Sequence, residues 1–315
     1  MPLSLRRGRV TAVLERQEGL ARLEVDDRPC VAYPRLTGPV ALGDQVLVNV
    51  QAQELGLGSG GFDVLYANLT RGLDLPAAVG AHVMTLPYTP LQAAVRHAEE
   101  DGPLAETLDG MPVVCCSLHS QLVPVCAGVG EGVRVAYVQV PGGALPVSLS
   151  DAVRALRRQG LLASAVAAGP CVDAEVQCVN VYSALAWAAG GGHDIVVCGI
   201  GPGIVGTATR FGHGGLSAAE AANAASALGG RPVVAPRASS ADPRERHRGL
   251  SHHTRAVLDA CLGDVHVPSA DEGEGSGWRE ACAGLPLEHM GRGPDEDPEF
   301  FAAAFAAGRL ARALL

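Results

Sequence analysis

Residues 195–210 read IVVCGIGPGIVGTATR, an apolar run that breaks into glycines, then two threonines and an arginine. Ile195–Ile200 shows no polar alternation, the pattern of a strand covered on both faces in a parallel sheet. Gly201–Gly206 then reads as the turn leaving that strand's carboxyl end. Similar short apolar runs stand at Pro112–Ser117, Val133–Val140, Ala163–Ala168, Pro232–Arg237 and Asp264–Val267. Helical stretches are expected between them at Ser148–Gln159, Val179–Ala189, Ser217–Leu228 and Ser251–Leu262, with Ser217 and Glu220 spaced as a capping box. Strands alternating with helices predict a doubly wound, mostly parallel, Rossmann-like α/β domain over 113–267.

Outward from this domain the patterning changes. Residues 6–70 carry five short apolar or alternating runs (Gly8–Leu14, Ala21–Val25, Cys30–Tyr33, Gln45–Val50, Phe62–Leu69) separated by Gly, Asp and Pro, the Gly58–Gly61 cluster among them. They predict a small all-β, barrel-like module over 1–70. Residues 71–112 form a bridging segment, with a helix expected from Pro90 through Leu91–Glu100. Residues 268–295 are acidic and glycine-rich, the composition of a loop. Over 296–315, Asp297 and Pro298 are placed as cap and first residue of a terminal helix, whose Phe300, Phe301, Ala304, Phe305 and Leu310 would dock on the α/β domain.

Composition removes several functions. The 315 residues are 48% hydrophobic and carry a net charge of −9, and all 24 basic residues are Arg. A chain without Lys forms no Schiff base, which excludes pyridoxal-phosphate chemistry, and holds no Walker A phosphate loop. The acidic balance and the 4% of aromatic residues argue against nucleic-acid binding. Nine cysteines without a CxxC pair, no signal-peptide core and no long apolar stretch predict a reduced, cytoplasmic protein that does not enter a membrane. A homo-oligomer stays open.

Ligands bind at the carboxyl ends of strands in such sheets, and three strand ends carry unusual residues. After Ile200, the glycine-rich loop offers Gly201, Gly203, Gly206, Thr207, Thr209 and Arg210 to an anion through free N–H groups, hydroxyls and a guanidinium. Its GxGxxG match is weak evidence for a dinucleotide: Pro202 lies inside it, FGHGG (211–215) interrupts the helix required next, and the following strand ends at Arg237 rather than an acid. The bland alternative is a tight turn that needs glycine for packing. After the next strand, Asp242, Pro243 and Glu245 read as the start of a short helix ending at Gly249. Arg244 and Arg248 would share one face of it and repel unless an anion binds them. Arg237, Ser239 and His247 join that segment as cleft candidates. Ser251 can cap the next helix, placing His252 and His253 in a first turn that disfavours imidazolium. The alternative there is a solvated connector. His119, after PVVCC, stands where a catalytic histidine would, or serves structure alone. Asp173 and Glu175 follow the third strand. His119, Asp173, Asp242, His247, His252 and His253 could furnish metal ligands, although no HExxH or Cys/His finger is present, and no cofactor is specified. No G-x-S-x-G elbow occurs.

The phrases LDGMPVVCCSLHSQL (108–122), GPGIVGTATRFGHGG (201–215) and ADPRERHRGLSHHT (241–254), with GDQVLVNV and LGLGSGGF nearer the start, are long and specific. In them the chain resembles a bacterial family known as a domain of unknown function, over nearly its whole length except 268–295. The resemblance implies no reaction, ligand or catalytic residue. The residues themselves point to an enzyme or ligand-binding protein for a small anionic, phosphorylated molecule, with His119, His252 and His253 as proton-transfer candidates. One alternative is a non-catalytic sensor or interaction protein whose barrel meets a partner or RNA through Arg6, Arg7 and Arg9. Another is a metal-dependent hydrolase.

Overall fold

A computed structural model describes residues 2–56, 61–269 and 277–315. The chain divides into two compact units, residues 1–96 and 97–315.

In the first unit, β1 (Leu5–Gln17), β2 (Leu20–Val25), β3 (Arg28–Ala32), the short helix α1 (Pro34–Thr37), β4 (Gln45–Asn49), the turn α2 (Gln51–Glu54) and β5 (Asp63–Asn68) succeed one another. The five strands close into a barrel in the order β1-β2-β3-β5-β4. Val10, Leu23, Val25, Val46, Val48 and Leu65 fill it, every second residue pointing inward as strand geometry requires. Of the expected Gly58–Gly61 cluster only Gly61 lies within the described residues. The expected helix over Leu91–Glu100 is absent. Instead β6 (Val83–Thr85) pairs with β7 (Ala93–Val95) in the register Val83↔Val95. Tyr88 turns the chain at φ +59° and Thr89 Oγ1 accepts from the Leu91 N–H. Cross-strand pairing thus overrides the high helix preference of Leu-Gln-Ala-Ala, and only Ala98–Glu100 takes a single helical turn.

The second unit runs β8 (Pro112–Cys116), α3 (Leu122–Val129), β9 (Val135–Val140), α4 (Asp151–Arg158), β10 (Ser164–Ala168), β11 (Val176–Cys178), α5 (Val181–Gly190), β12 (Ile195–Ile200), α6 (Ser217–Ala227), β13 (Arg231–Ala235), β14 (Ala238–Ser239), β15 (Gly249–Leu250), α7 (His252–Ala260), α8 (Trp278–Ala281) and α9 (Pro298–Ala313). Six strands form one parallel sheet in the order β11-β10-β9-β12-β8-β13. Successive residues point to opposite faces, so Val114, Cys116, Tyr137, Val197 and Ala235 pack under α3, α4, α8 and α9. Val113, Cys115, Val138, Cys198 and Val234 pack under α5 and α6. The chain leaves β8 and β9 over the first face and β12 over the second, which makes the carboxyl end of β12 the topological switch point where such sheets bind ligands.

Three local expectations change. Asp264–Val267 forms no strand; His266 makes one bridge to Val233 beside the edge strand β13. Ser217 does not cap α6, which instead continues from a turn over Gly214–Leu216 with Leu216 at the N-cap. The acidic loop contains α8, while residues 270–276 of it lie outside the described residues. Helix α9 is seated as expected, with Phe300, Phe301 and Phe305 buried. It lies so close to α3 that a Cβ on Gly308 would collide with the Val125 carbonyl oxygen, and one on Gly128 with that of Phe305. Among the described residues no helix is long and apolar enough to cross a membrane.

Candidate functional site

The loops after β12 and β13 meet. Beyond β13 the two-residue ladder β14–β15 folds residues 240–248 back on themselves. The Arg237 N–H then donates to Thr254 Oγ1 at 2.9 Å and the Ser251 N–H to the Arg237 carbonyl at 2.9 Å. These bonds press the start of α7 against the sheet end. Ser251 caps α7, its Oγ accepting from the His253 N–H at 3.2 Å, so His252 and His253 occupy the first turn as expected. From β12, the Gly206–His213 bridge and the Gly214 N–H to Val205 carbonyl bond, 2.7 Å, make a hairpin that carries His213 across.

Four imidazoles result in one cluster. His213 stacks on His253 at 3.7 Å between centroids, His252 lies 4.4 Å from His253, and His247 lies 4.7 Å from His252 and 4.8 Å from His253. His213, His247 and His253 are buried and His252 half-buried. The Nδ1 of His247 is 2.7 Å from Ser251 Oγ, and the Nδ1 of His253 accepts from Arg237 Nη1 at 3.3 Å. Nε2 of His252 and both ring nitrogens of His213 are buried without a hydrogen bond of normal geometry, although the Arg210 carbonyl is close to His213. All four are driven toward the neutral form. Burial is the first cause, followed by neighbouring cations and imidazoles; His247 falls to about 3 and His253 to about 2.

A charged network backs this cluster. Arg237 is fully buried, donates from Nη2 to Asp242 at 3.0 Å, and is pushed down to about 10 by burial. Arg244 grips the same carboxylate with Nε and Nη2, both at 2.9 Å, and Arg292 reaches it at 3.4 Å. Arg292 also donates to Asp297 at 3.0 Å, which accepts from Ser239 Oγ at 2.8 Å. Despite burial, these donors hold Asp242 well below the usual carboxylate range. Arg248 donates to the Asp242 carbonyl at 3.0 Å. The expected helix from Asp242 to Gly249 is therefore reduced to one turn at Glu245–His247, and Arg244 and Arg248 share no helical face. The Asp242 carboxylate is the counter-charge of Arg244, while Arg248 meets its neutral backbone carbonyl. His289 joins at the rim, stacked on Phe300 at 3.7 Å and bonded through Nδ1 to Ser120 Oγ at 3.1 Å.

The remaining candidates sit elsewhere. A Cβ on Gly201 would collide with the Ala144 carbonyl oxygen, and one on Gly206 would stand 2.9 Å from the His213 Cβ. Gly203 turns the chain at φ +72°. Packing thus accounts for these glycines. Thr207 and Thr209 bond to each other at 2.8 Å on the exposed hairpin, and Arg210 pairs with exposed Asp259. His119 lies outside the cluster, with Nδ1 3.1 Å from the Ile200 carbonyl oxygen and Nε2 2.8 Å from Ser150 Oγ. Asp173 is bonded by Ser148, and Glu175 by Arg157. Sequence reasoning missed His213, His289, Arg292 and Asp297 as site residues. His213 alone left a signal, within FGHGG.

A family model described as "Protein of unknown function (DUF3866)" matches residues 29–282. No curated protein matches the chain.

Proposed function

The chain belongs to the DUF3866 family, and for it we propose an enzyme that acts on a small anionic, phosphorylated molecule at the ends of β12 and β13. One observation carries this reading: four clustered imidazoles, each pushed toward the neutral form by burial, stand beside Arg237, Arg244 and Arg246, although the chain as a whole carries −9. Among the described residues, Arg237, Arg244 and Arg292 form ion pairs with the carboxylates of Asp242 and Asp297, three cations to two anions. Exposed Arg246 further disfavours a charge on His252. A substrate anion would be drawn into that excess positive charge. A neutral imidazole there accepts a proton as a general base, and the surrounding guanidinium groups make the imidazolium a strong acid that gives the proton back. His252, the least buried of the four, is assigned this transfer. All nine cysteines are free and eight are buried, which agrees with a cytoplasmic setting.

The test is a thermal-shift series with inorganic phosphate, sugar phosphates and nucleotides. Binding to the native state raises Tm by mass action. The expected result is a shift with one class of anion, lost in Arg246→Gln and kept in Arg210→Ala. No shift with any of them at about millimolar concentration, where a ligand well above its Kd registers, overturns the reading.

A further inference from the structure

We propose that His247, His252 and His253 form a binding site for a divalent transition metal of the zinc class. Each residue offers one ring nitrogen, and the three nitrogens lie within 4.8 Å of one another. Ligands about 2.0–2.1 Å from a tetrahedral zinc stand roughly 3.4 Å apart, so small side-chain rotations close the ring of ligands. Imidazole nitrogens suit zinc, copper, iron and nickel, whereas calcium and magnesium require oxygen ligands that this cluster lacks.

The surroundings resemble those of a built site. His247 and His253 are 1% and 6% exposed, so their rings are fixed by packing rather than by solvent. Ser251 Oγ, 2.7 Å from the Nδ1 of His247, can accept that N–H and leave Nε2 as the ligand atom, the usual second partner of a metal-bound histidine. Nε2 of His252 is buried without a partner, which is costly for a group that serves structure alone. The His253 ring is the one that must adjust. Its Nδ1 accepts from Arg237 at 3.3 Å, which keeps the proton on Nε2. That contact is longer than the 3.0 Å bond from the same guanidinium to Asp242, and ligation through Nε2 gives it up. Three protein ligands leave a fourth position for water or substrate, the composition of a catalytic rather than a structural zinc site. His213 lies one ring further out, stacked on His253 and 6.0 Å from His252.

This inference is separate from anion binding but competes with the proton transfer assigned to His252, whose Nε2 cannot both ligate a metal and take a proton. Arg246→Gln lowers the positive field, so it tightens metal binding while it weakens an anion. The experiment uses the full chain without a histidine tag, with Zn²⁺ titrated by calorimetry and Co²⁺ followed by visible absorption. One equivalent per chain is expected, with the intense bands of tetrahedral cobalt. His252→Gln, the least buried ligand, should weaken binding by roughly ten-fold or more, and His247→Gln likewise. His213→Phe should leave binding within about three-fold of the native value, because it provides no ligand atom. Circular dichroism shows that each variant is folded. Absence of stoichiometric metal at about micromolar free zinc, or uptake unchanged in folded His252→Gln, overturns the site. Equal losses in His213→Phe and His252→Gln overturn the three-ligand assignment.

Discussion

His213 and His253 stack with 3.7 Å between ring centroids and 17° between planes, although neither ring hydrogen-bonds to the other. The contact joins the hairpin after β12 to the first turn of α7. Both nitrogens of His213 are buried and lack a partner of normal geometry, although the Arg210 carbonyl is close, so the stack on His253 is the larger part of what the ring contributes to stability. We predict that His213→Phe changes unfolding stability by less than about 1 kcal/mol, because the stack is kept and no hydrogen bond is lost. His213→Ala should cost roughly 2–4 kcal/mol through the cavity it leaves. Urea denaturation of both variants compares the two values, and an equal loss in each would show that the nitrogens matter.

Asp242→Asn should destabilise the chain by about 3–5 kcal/mol. Removing one partner of a buried ion pair leaves its counterpart uncompensated, and here the fully buried Arg237 is left facing the side chains of Arg244 and Arg292. The exposed pair Arg210–Asp259 gives the contrast. Arg210→Ala should cost less than about 1 kcal/mol. Chemical denaturation measures both, and a small effect at Asp242 would deny the network its structural role.

Acid should weaken the fold through His119, which burial pushes down to about 4. An unfolded imidazole takes its proton near about 6.5. Between those values the unfolded chain binds more protons than the native one, so stability is full above the upper value and falls as pH drops through the window. The contribution is at most about 3 kcal/mol. His119→Gln should reduce the slope of unfolding free energy against pH between about 6.5 and 4 without abolishing it, since the depressed His213, His247, His252 and His253 contribute to the same window; an unaltered slope would remove His119 as one of its sources.

Gly201→Ala is expected to cost about 1–3 kcal/mol by overpacking. The added methyl would meet the Ala144 carbonyl oxygen, a backbone atom that has no rotamer to change. Thermal melts of this variant and of Thr209→Ala, on the exposed hairpin, separate packing from mere proximity to the loop. A wild-type melt for Gly201→Ala would free that glycine for a ligand-binding explanation.

The layered sheet was legible because its strands are apolar on both faces, and periodicity reports burial directly. Ser251 was legible as a cap residue because its cap involves only its own neighbours in sequence, its side chain accepting from the His253 N–H two residues on. Leu91–Glu100 misled, because the partner that makes Ala93–Val95 a strand stands at Val83–Thr85 and no local preference reports it. The spacing of Arg244 and Arg248 suggests an unfilled anion site, whereas the carboxylate that pairs with Arg244, Asp242, has the local sequence of a helix cap. A carboxylate that caps a turn and one that gathers guanidinium groups look alike in sequence. That His213 joins the imidazoles and Asp297 the arginine network behind them follows only from folding, since each arrives from a separate loop.

Asp297 accepts from Ser239 in the loop after β13, and the helix it precedes sends Phe300 and Phe301 into the core beneath β8 and β13. A ribosome adding about 5–20 residues each second exposes β8 well before α9. Through that interval one face of the sheet lacks its cover, and the guanidinium of Arg292 and the carboxylate of Asp297 have yet to arrive. The histidine cluster therefore receives the charged support of Arg292 and Asp297 only after that of Arg237, Asp242 and Arg244, and this face of the sheet is closed last.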